Sequence, residues 1–244
     1  DFSHPDFDLA RQFAAADQIV IAAPYWDMMF PAVLKTYLEN ITVSGITFDY
    51  SEQGRPESLC KARQLHYVTT AGGFIGQNDF GFAYNHGLTR VEFPASLRYL
   101  GEEAFSNGTG LVSLEFREGL VSIGVNCFYM CESLTGLHLP DSLEEIKDGA
   151  FYGCEKLESL DLGEGVVSIG DAAFDGCKAL TGLHCPDSLQ TIGRFAFEYC
   201  DKLKTLTLGS GLRTVSYTAF AGCTALQTVD LGSNLTTLEQ SAFS

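Results

Sequence analysis

Five cysteines, Cys131, Cys154, Cys177, Cys200 and Cys223, recur at one fixed interval, and thiols brought together in this way can close disulfides or hold a metal ion. A second set places two imidazoles on either side of a carboxylate, His138, Asp161 and His184, at the same interval. Imidazole and carboxylate are zinc ligands, and at a protein contact an imidazole responds to pH. A third set lies early in the chain. There "PYWDMMF" (Pro24 to Phe30) offers aromatic surface at Tyr25 and Trp26, followed by Asp27 and Met28. "TAGGFIGQ" (Thr70 to Gln77) offers Thr70, Ala71, Gly72 and Gly73, whose glycines let backbone amides approach a ring edge. That third set suits a flat aromatic ligand.

The interval, 23, belongs to the whole chain beyond residue 87. A frame L-x-x-L-x-L/P-x-x-x-L-x-x-I-G-x-x-A-F-x-x-C has its first Leu at Leu88, Leu111, Leu134, Leu157, Leu180, Leu203 and Leu226, and its Phe at Phe105, Phe128, Phe151, Phe174, Phe197, Phe220 and Phe243. Seven units without an inserted residue predict a solenoid, because a unit this short buries its apolar face only against its neighbours. "LESLDL" (Leu157 to Leu162) reads as a strand with Leu160 and Leu162 inward and Asp161 outward. Turns follow that alternate between Pro-Asp-Ser (Pro140, Pro186) and Gly-x-Gly (Gly163, Gly209). The Gly-x-Gly pairs lack the third glycine of a dinucleotide loop and read as turns. "IGDAAF" then returns along the other side, with Gly170 allowing a tight bend and Phe174 filling the core.

This frame reassigns the first two sets. The five ladder cysteines share one position, Cys127 sits where other units have Ala, and Cys185 where they have Leu or Phe. All seven read as small buried apolar residues. In-register side chains point in parallel rather than at each other, which disfavours disulfides, and no C-x-x-C pair exists. Cys60 lies outside the repeats. His138 and His184 are two turns apart, about 9 to 10 Å, too far to share one ion easily. Hence no metal site is expected. The row Glu92, Glu115, His138, Asp161, His184, Thr207 and Asp230 becomes the outward strand face and the candidate protein-binding surface. The neighbouring outward row, Arg90, Ser113, Gly136, Ser159, Gly182, Thr205 and Thr228, is mostly small. His4, His66 and His86 have no partner by spacing.

Before Leu88 the period vanishes. "FDLARQFAAAD" (Phe7 to Asp17) and "PAVLKTYLENI" (Pro31 to Ile41) read as helices; "QIVIAAP" (Gln18 to Pro24) and "RQLHYVTT" (Arg63 to Thr70) read as strands. Their alternation predicts a parallel α/β sheet, whose ligands sit beyond the carboxyl ends of the strands, where the third set stands. Two domains are therefore expected, 1–87 and 88–244. Two strands with an open edge on each side make a poor independent sheet. A cap on the Leu88 strand is thus one role for the first segment.

The chain has 244 residues, 45% of them hydrophobic and 19% charged, enough for a real core. Acidic residues outnumber basic ones 31 to 15, for a net charge of -16. That charge repels phosphate backbones and argues against nucleic acid. The longest apolar runs fall short of the roughly 18 residues that span a bilayer, and "DFSHPDFDLARQ" lacks the basic start and apolar stretch of a signal peptide.

Over Leu88 to Phe243, period, "AF" pair, Cys position and "PDSL" turn together resemble the BspA-like, Treponema pallidum type leucine-rich repeats. The resemblance implies a surface binding or adhesion module and a protein ligand. Over positions 1–84, "AAPxxxxxFPAxLKxYLE", "GxTFxY" and "TTAGG" resemble the flavodoxin-like FMN-dependent NAD(P)H oxidoreductases, the azoreductase and quinone reductase family. By that resemblance Tyr25, Trp26, Asp27 and Met28 lie along the FMN ring, and Thr70, Ala71, Gly72 and Gly73 touch its other edge. Hydride would pass from NAD(P)H through FMN to a quinone or azo compound, with the cofactor as reactant and no catalytic side chain required. The strand and phosphate loop that open such a domain are missing from the matching run. The whole therefore reads as a partial flavodoxin-like α/β segment followed by a seven-unit solenoid, a fusion or fragment joined near positions 85–87. The reductase resemblance implies a cytoplasmic protein, the repeat resemblance an exported one.

Overall fold

The computed structural model describes the backbone of five short strands between Gln18 and Ile75, and residues 82–244 with their side chains. The early strands are β1 (Gln18–Ala23), β2 (Phe48–Tyr50), β3 (Pro56–Ser58), β4 (Gln64–Thr69) and β5 (Phe74–Ile75). The two early helices expected from the sequence lie outside the described residues. Both expected strands are present, and β1 and β4 pair in parallel, Gln18 opposite Gln64 through Ala23 opposite Thr69. β2 and β3 form an antiparallel pair that the hydrophobic pattern does not predict.

From Leu88 onward each repeat unit contributes two strands. The first wall comprises β6 (Arg90–Glu92), β8 (Ser113–Glu115), β10 (Gly136–His138), β12 (Ser159–Asp161), β14 (Gly182–His184), β16 (Thr205–Thr207) and β18 (Thr228–Asp230). The second comprises β7 (Tyr99–Leu100), β9 (Ser122–Ile123), β11 (Glu145–Ile146), β13 (Ser168–Ile169), β15 (Thr191–Ile192), β17 (Thr214–Val215) and β19 (Thr237–Leu238). Pairing within each wall is parallel and in register, with Ser113 opposite Arg90 and Ser168 opposite Glu145, and the ladders break between β8 and β10, between β12 and β14, and between β15 and β17. The first wall loosens where a strand begins with glycine. Thr135 and Thr181 reach back to Val112 and Glu158 with bonds of 3.3 Å, against 2.9 Å for Glu158 to Thr135. Among the described residues the fold is a β-solenoid without helix, and no helix is long and apolar enough to cross a membrane.

The core is a column. The phenylalanine rings from Phe105 to Phe243 stack one per turn at centroid distances of 5.1 to 5.3 Å. The stack begins one ring earlier than the Leu88 frame places it, because Phe82 lies on Phe105 at 5.3 Å. Cysteines sit beside the column for a definite reason: each ladder thiol donates to the carbonyl of the phenylalanine one turn back, Cys131 to Phe105 and Cys223 to Phe197 at 3.3 Å. All seven described cysteines are free and buried. Burial pushes the thiols of Cys131 and Cys185 up to about 12 and holds Cys127, Cys154 and Cys177 well above the ordinary thiol value. Those five are held as neutral thiols, whereas the hydrogen bond with Cys200 lowers the pKa of Cys223, the least buried of the seven.

Gly170 does not make the bend expected of it. The left-handed backbone falls two residues later, at Asn126, Gly149, Ala172, Phe195 and Thr218 in successive units, with φ between 51° and 60°. Gly170 serves close approach instead, since a Cβ there would lie 2.4 Å from Asp148 Oδ1 and 2.6 Å from its backbone nitrogen. A non-glycine residue in the left-handed region costs roughly 1 to 2 kcal/mol. Ala172→Gly is accordingly expected to stabilise the chain by about 0.5 to 1 kcal/mol after the greater unfolded freedom of glycine is subtracted. A thermal melt reads this as a rise of about 1 to 4 °C. A lower midpoint would show that the bend is not strained.

Candidate functional site

The outward face of the first wall is built by alternation. Middle residues such as Val91, Leu114, Leu137 and Leu183 are buried, and the residues on either side point out. The parallel register aligns Glu92 with Glu115, His138 with Asp161, and His184 with Thr207 and Asp230, and the 23-residue interval gives the three blocks the same strand position. His138, Asp161, His184 and Asp230 are exposed, whereas Glu92, Glu115 and Thr207 are half-buried. At one end Arg90 bridges Glu92 at 2.8 Å and also Glu115. The two carboxylates push the guanidinium pKa further up, Glu92 most strongly through its hydrogen bond.

In the middle of the row His138 Nδ1 lies 2.6 Å from Asp161 Oδ2, with both side chains mostly in water, 80% and 63% exposed. Asp161 Oδ1 accepts from its own turn at Gly163, 3.3 Å away, so both oxygens of this carboxylate are engaged. His184 stands on the next turn. No group of three or more His, Cys, Asp or Glu side chains is arranged to hold a metal ion among the described residues.

Much of the acidity has a structural use that spacing alone does not disclose. Asp141 Oδ1 accepts from the Glu164 backbone N–H at 2.9 Å, and Asp187 Oδ1 from Ser210 at 2.7 Å, one turn on in each case. The Ser210 amide and hydroxyl hold the Asp187 carboxyl below its ordinary pKa. Asp148 and Asp171 do the same for Asp171 and Arg194 on the other side. Pro-Asp-Ser turns therefore clasp the Gly-x-Gly turns that follow them. That contact explains their alternation.

One further cluster lies away from the outward row. Tyr129 and Tyr152 stack at 4.9 Å, and the same position carries Asp175 and then Glu198 in the next two units. The sequence signal for it is the repeat interval applied to polar positions. Burial, and then the charge of Glu198, push the Asp175 carboxyl up to about 6. A raised carboxyl costs stability above its folded pKa, and the cost fades as pH falls toward the unfolded value near 4. Asp175→Asn is expected to gain about 1 kcal/mol at pH 7.5, discounted because the group is half exposed, and nothing near pH 4. Urea midpoints at the two pH values measure it. An equal gain at both would assign the effect to packing.

The cavities of note among the described residues are open grooves. One of about 470 Å³ is lined by Arg194, Tyr217, Glu239 and Gln240, and one of about 440 Å³ runs along the second wall past Gly170 and Gly193. The aromatic-ring candidates Tyr25, Trp26, Asp27, Met28, Thr70, Ala71, Gly72 and Gly73 lie outside the described residues. Their flanking strands do not. Because β1 and β4 are adjacent and parallel, their last residues, Ala23 and Thr69, stand side by side at the same end of the sheet.

Two family models match the chain. That for the BspA type leucine rich repeat region covers residues 74–181 and 144–244, and that for the flavodoxin-like fold covers residues 6–105. The similar curated proteins include FMN-dependent NADH:quinone oxidoreductase 2 of Clostridium acetobutylicum, 43% identical over 77 residues, or 32% of this chain and 38% of that protein. The FMN-dependent NADH:quinone oxidoreductase of Caldicellulosiruptor bescii is 46% identical over 92 residues, 37% of this chain and 46% of that protein. The chain thus spans less than half the length of these relatives. Among solved structures, the T. pallidum leucine rich repeat protein superposes with a TM-score of 0.61 at 28% identity, covering 73% of this chain and 86% of that one. A leucine-rich repeat protein from Eubacterium ventriosum reaches a TM-score of 0.63 at 20% identity, covering 93% and 58%, and shares the fold.

Proposed function

Because the chain belongs to the BspA type leucine rich repeat family, we propose that it is a protein-binding module whose ligand docks on the outward face of the solenoid, along Glu92, Glu115, His138, Asp161, His184, Thr207 and Asp230. The observation that carries this reading is the constant 23-residue spacing of that row, whose members pair in register in three blocks, Glu92 with Glu115, His138 with Asp161, and His184 with Thr207 and Asp230. Side chains at this strand position align over seven turns, a length of roughly 30 Å at the ordinary strand spacing, while the buried middle residues maintain the scaffold. Solenoids use such extended faces for recognition. Residues 88–244 would form the binding domain and 1–87 a partial flavodoxin-like α/β domain.

A photo-crosslinking amino acid at Asp161 or His184, compared with one at Asp148 on the other wall, tests the face. The reading expects one protein to be captured from the front positions only, and capture to fail when His138→Ala and Asp230→Arg are added. Equal capture from both walls would count against it.

A second reading is favoured by the parallel adjacency of β1 and β4: an FMN-dependent NAD(P)H reductase acting on a quinone or azo substrate, with the repeats as an interaction arm. Tyr25, Trp26, Asp27 and Met28 would hold one side of the ring, and Thr70, Ala71, Gly72 and Gly73 its other edge. FMN, when bound, supplies the hydride-transfer chemistry. The relatives' shared segment is less than half of a full domain, so this reading needs the remainder from a longer chain or a partner. Flavin fluorescence titration decides. Saturable micromolar binding weakened by Trp26→Ala or Gly72→Val would support a cofactor site; no binding by the folded chain would leave the solenoid as the functional part.

A further inference from the structure

We infer that the reductase-like segment has a second function: β4, backed by β1, is the N-terminal cap of the solenoid, and β4, β5 and residues 82–87 belong to an additional, irregular turn of it. A parallel strand ladder must begin with a strand whose outer N–H and C=O groups lack partners, and solenoids need terminal units that cover that edge. In the regular frame the first strand is β6. Its outer edge is not open, because Gln64, Leu65 and His66 of β4 pair in parallel with Arg90, Val91 and Glu92.

The pairing keeps the pattern of the repeats. Ile19, Leu65, Val91 and Leu114 share one register row, and their apolar character is that of the buried row of the solenoid. His66 falls in the row of Glu92 and Glu115. The second wall is continued as well, Phe74 and Ile75 of β5 lying opposite Tyr99 and Leu100 of β7. The Phe82 and Tyr84 amides donate to Ala104 and Ser106 at 2.7 and 2.8 Å, as Phe105 and Asn107 do to Cys127 and Tyr129 one turn on. His86 repeats the motif from its side chain, with Nδ1 2.7 Å from Thr109 Oγ1.

The register also shows why this turn escapes the regular frame. In residue numbers, the step from Gln64 to its partner Arg90 is 26, from Phe74 to Tyr99 it is 25, and from Phe82 to the next ring, Phe105, it is 23. The turn starts three positions too long and has shed the excess by the ring column. Over residues 74–105 both family models match the same stretch. One segment thus meets the demands of a doubly wound sheet and of a repeat, and β6 takes the place of the next strand of the α/β sheet.

Hydrogen exchange of the whole 244-residue chain, read by mass spectrometry over β6 and over β16, which is paired on both sides, tests the cap. In the wild type the amides of Arg90–Glu92 are expected to exchange within about 10-fold of those of Thr205–Thr207. In the double variant Leu65→Pro, His66→Pro, which removes two adjacent ladder donors, β6 is expected to exchange at least 100-fold faster while β16 is unchanged. Light scattering should then show self-association through the open edge. Two results overturn the inference: β6 exchanging as an open edge in the wild type, or β6 protection surviving the prolines. If the variant unfolds throughout, the wild-type comparison decides, since protection at β6 supports the cap and its absence refutes it.

Discussion

Phe174→Ala is expected to destabilise the solenoid by about 3 to 5 kcal/mol, the usual cost of emptying a closed aromatic site. Phe174 is fully buried and stacks on Phe151 at 5.2 Å and on Phe197 at 5.1 Å. Truncation would therefore open a cavity between two turns that have no other means of closing on each other. On the second wall the backbone of this unit is laddered to both neighbours, β11 to β13 and β13 to β15, so the gap cannot collapse readily. Phe243 is half-buried and stacks on Phe220 alone, and Phe243→Ala should cost less than half as much. Thermal midpoints of the two variants give the comparison, with a fall of about 10 °C or more for Phe174→Ala. Equal small losses would mean that the strand leucines, and not the ring column, carry the core.

Gly165→Ala is expected to cost about 1 to 3 kcal/mol or more, from overpacking against backbone. An added Cβ would lie 1.8 Å from the Asp141 carbonyl oxygen and 3.1 Å from that of Leu143. Neither can swing away as a flexible side chain could, so the turn must shift and weaken the Glu164 amide's bond to Asp141. Gly136→Ala is the control. A Cβ there meets only the Ser159 hydroxyl, at 3.0 Å, and the melting temperature should move by under about 2 °C. A tolerated Gly165→Ala would show that the turn has room to relax.

What the sequence discloses follows from where the information is written. Each Phe105-type ring and each Leu88-type leucine contacts its own counterpart one turn away, so a period in sequence is a contact in space, and the core is readable. The thiols are readable as buried for the same reason, although their bond to a phenylalanine carbonyl is not. Carboxylates such as Asp141 and Asp171 look like solvated charge, because an amide one whole turn on does not announce itself as a donor. Gly170 misleads because glycine suggests an unusual φ as readily as a close contact, and Ala172 and Phe195 occupy the left-handed position instead. His66 finds no partner by spacing because the turn that carries it is too long for the frame. For the outward row, alternation within each strand and the repeat interval suffice to give every member from Glu92 to Asp230 the same strand position; the pairing of His138 with Asp161 requires the structure.

The clasp between unlike turns also limits how this protein can change its length. Removing one unit, from Leu157 to Ala179, would set the turn at Pro186 directly on the turn at Pro140. Proline would then bring its Cβ to the place of Gly163, 2.7 Å from the Leu139 carbonyl oxygen and 2.8 Å from that of Pro140. Ser188 would meanwhile bring a Cβ to the place of Gly165, 1.8 Å from a backbone oxygen. Removing two units, from Leu157 to Lys202, would instead bring Gly209 and Gly211 onto Pro140, an arrangement that the chain already uses. Gene-level gain or loss of repeats within this stretch should therefore be tolerated in pairs of units and rejected one unit at a time.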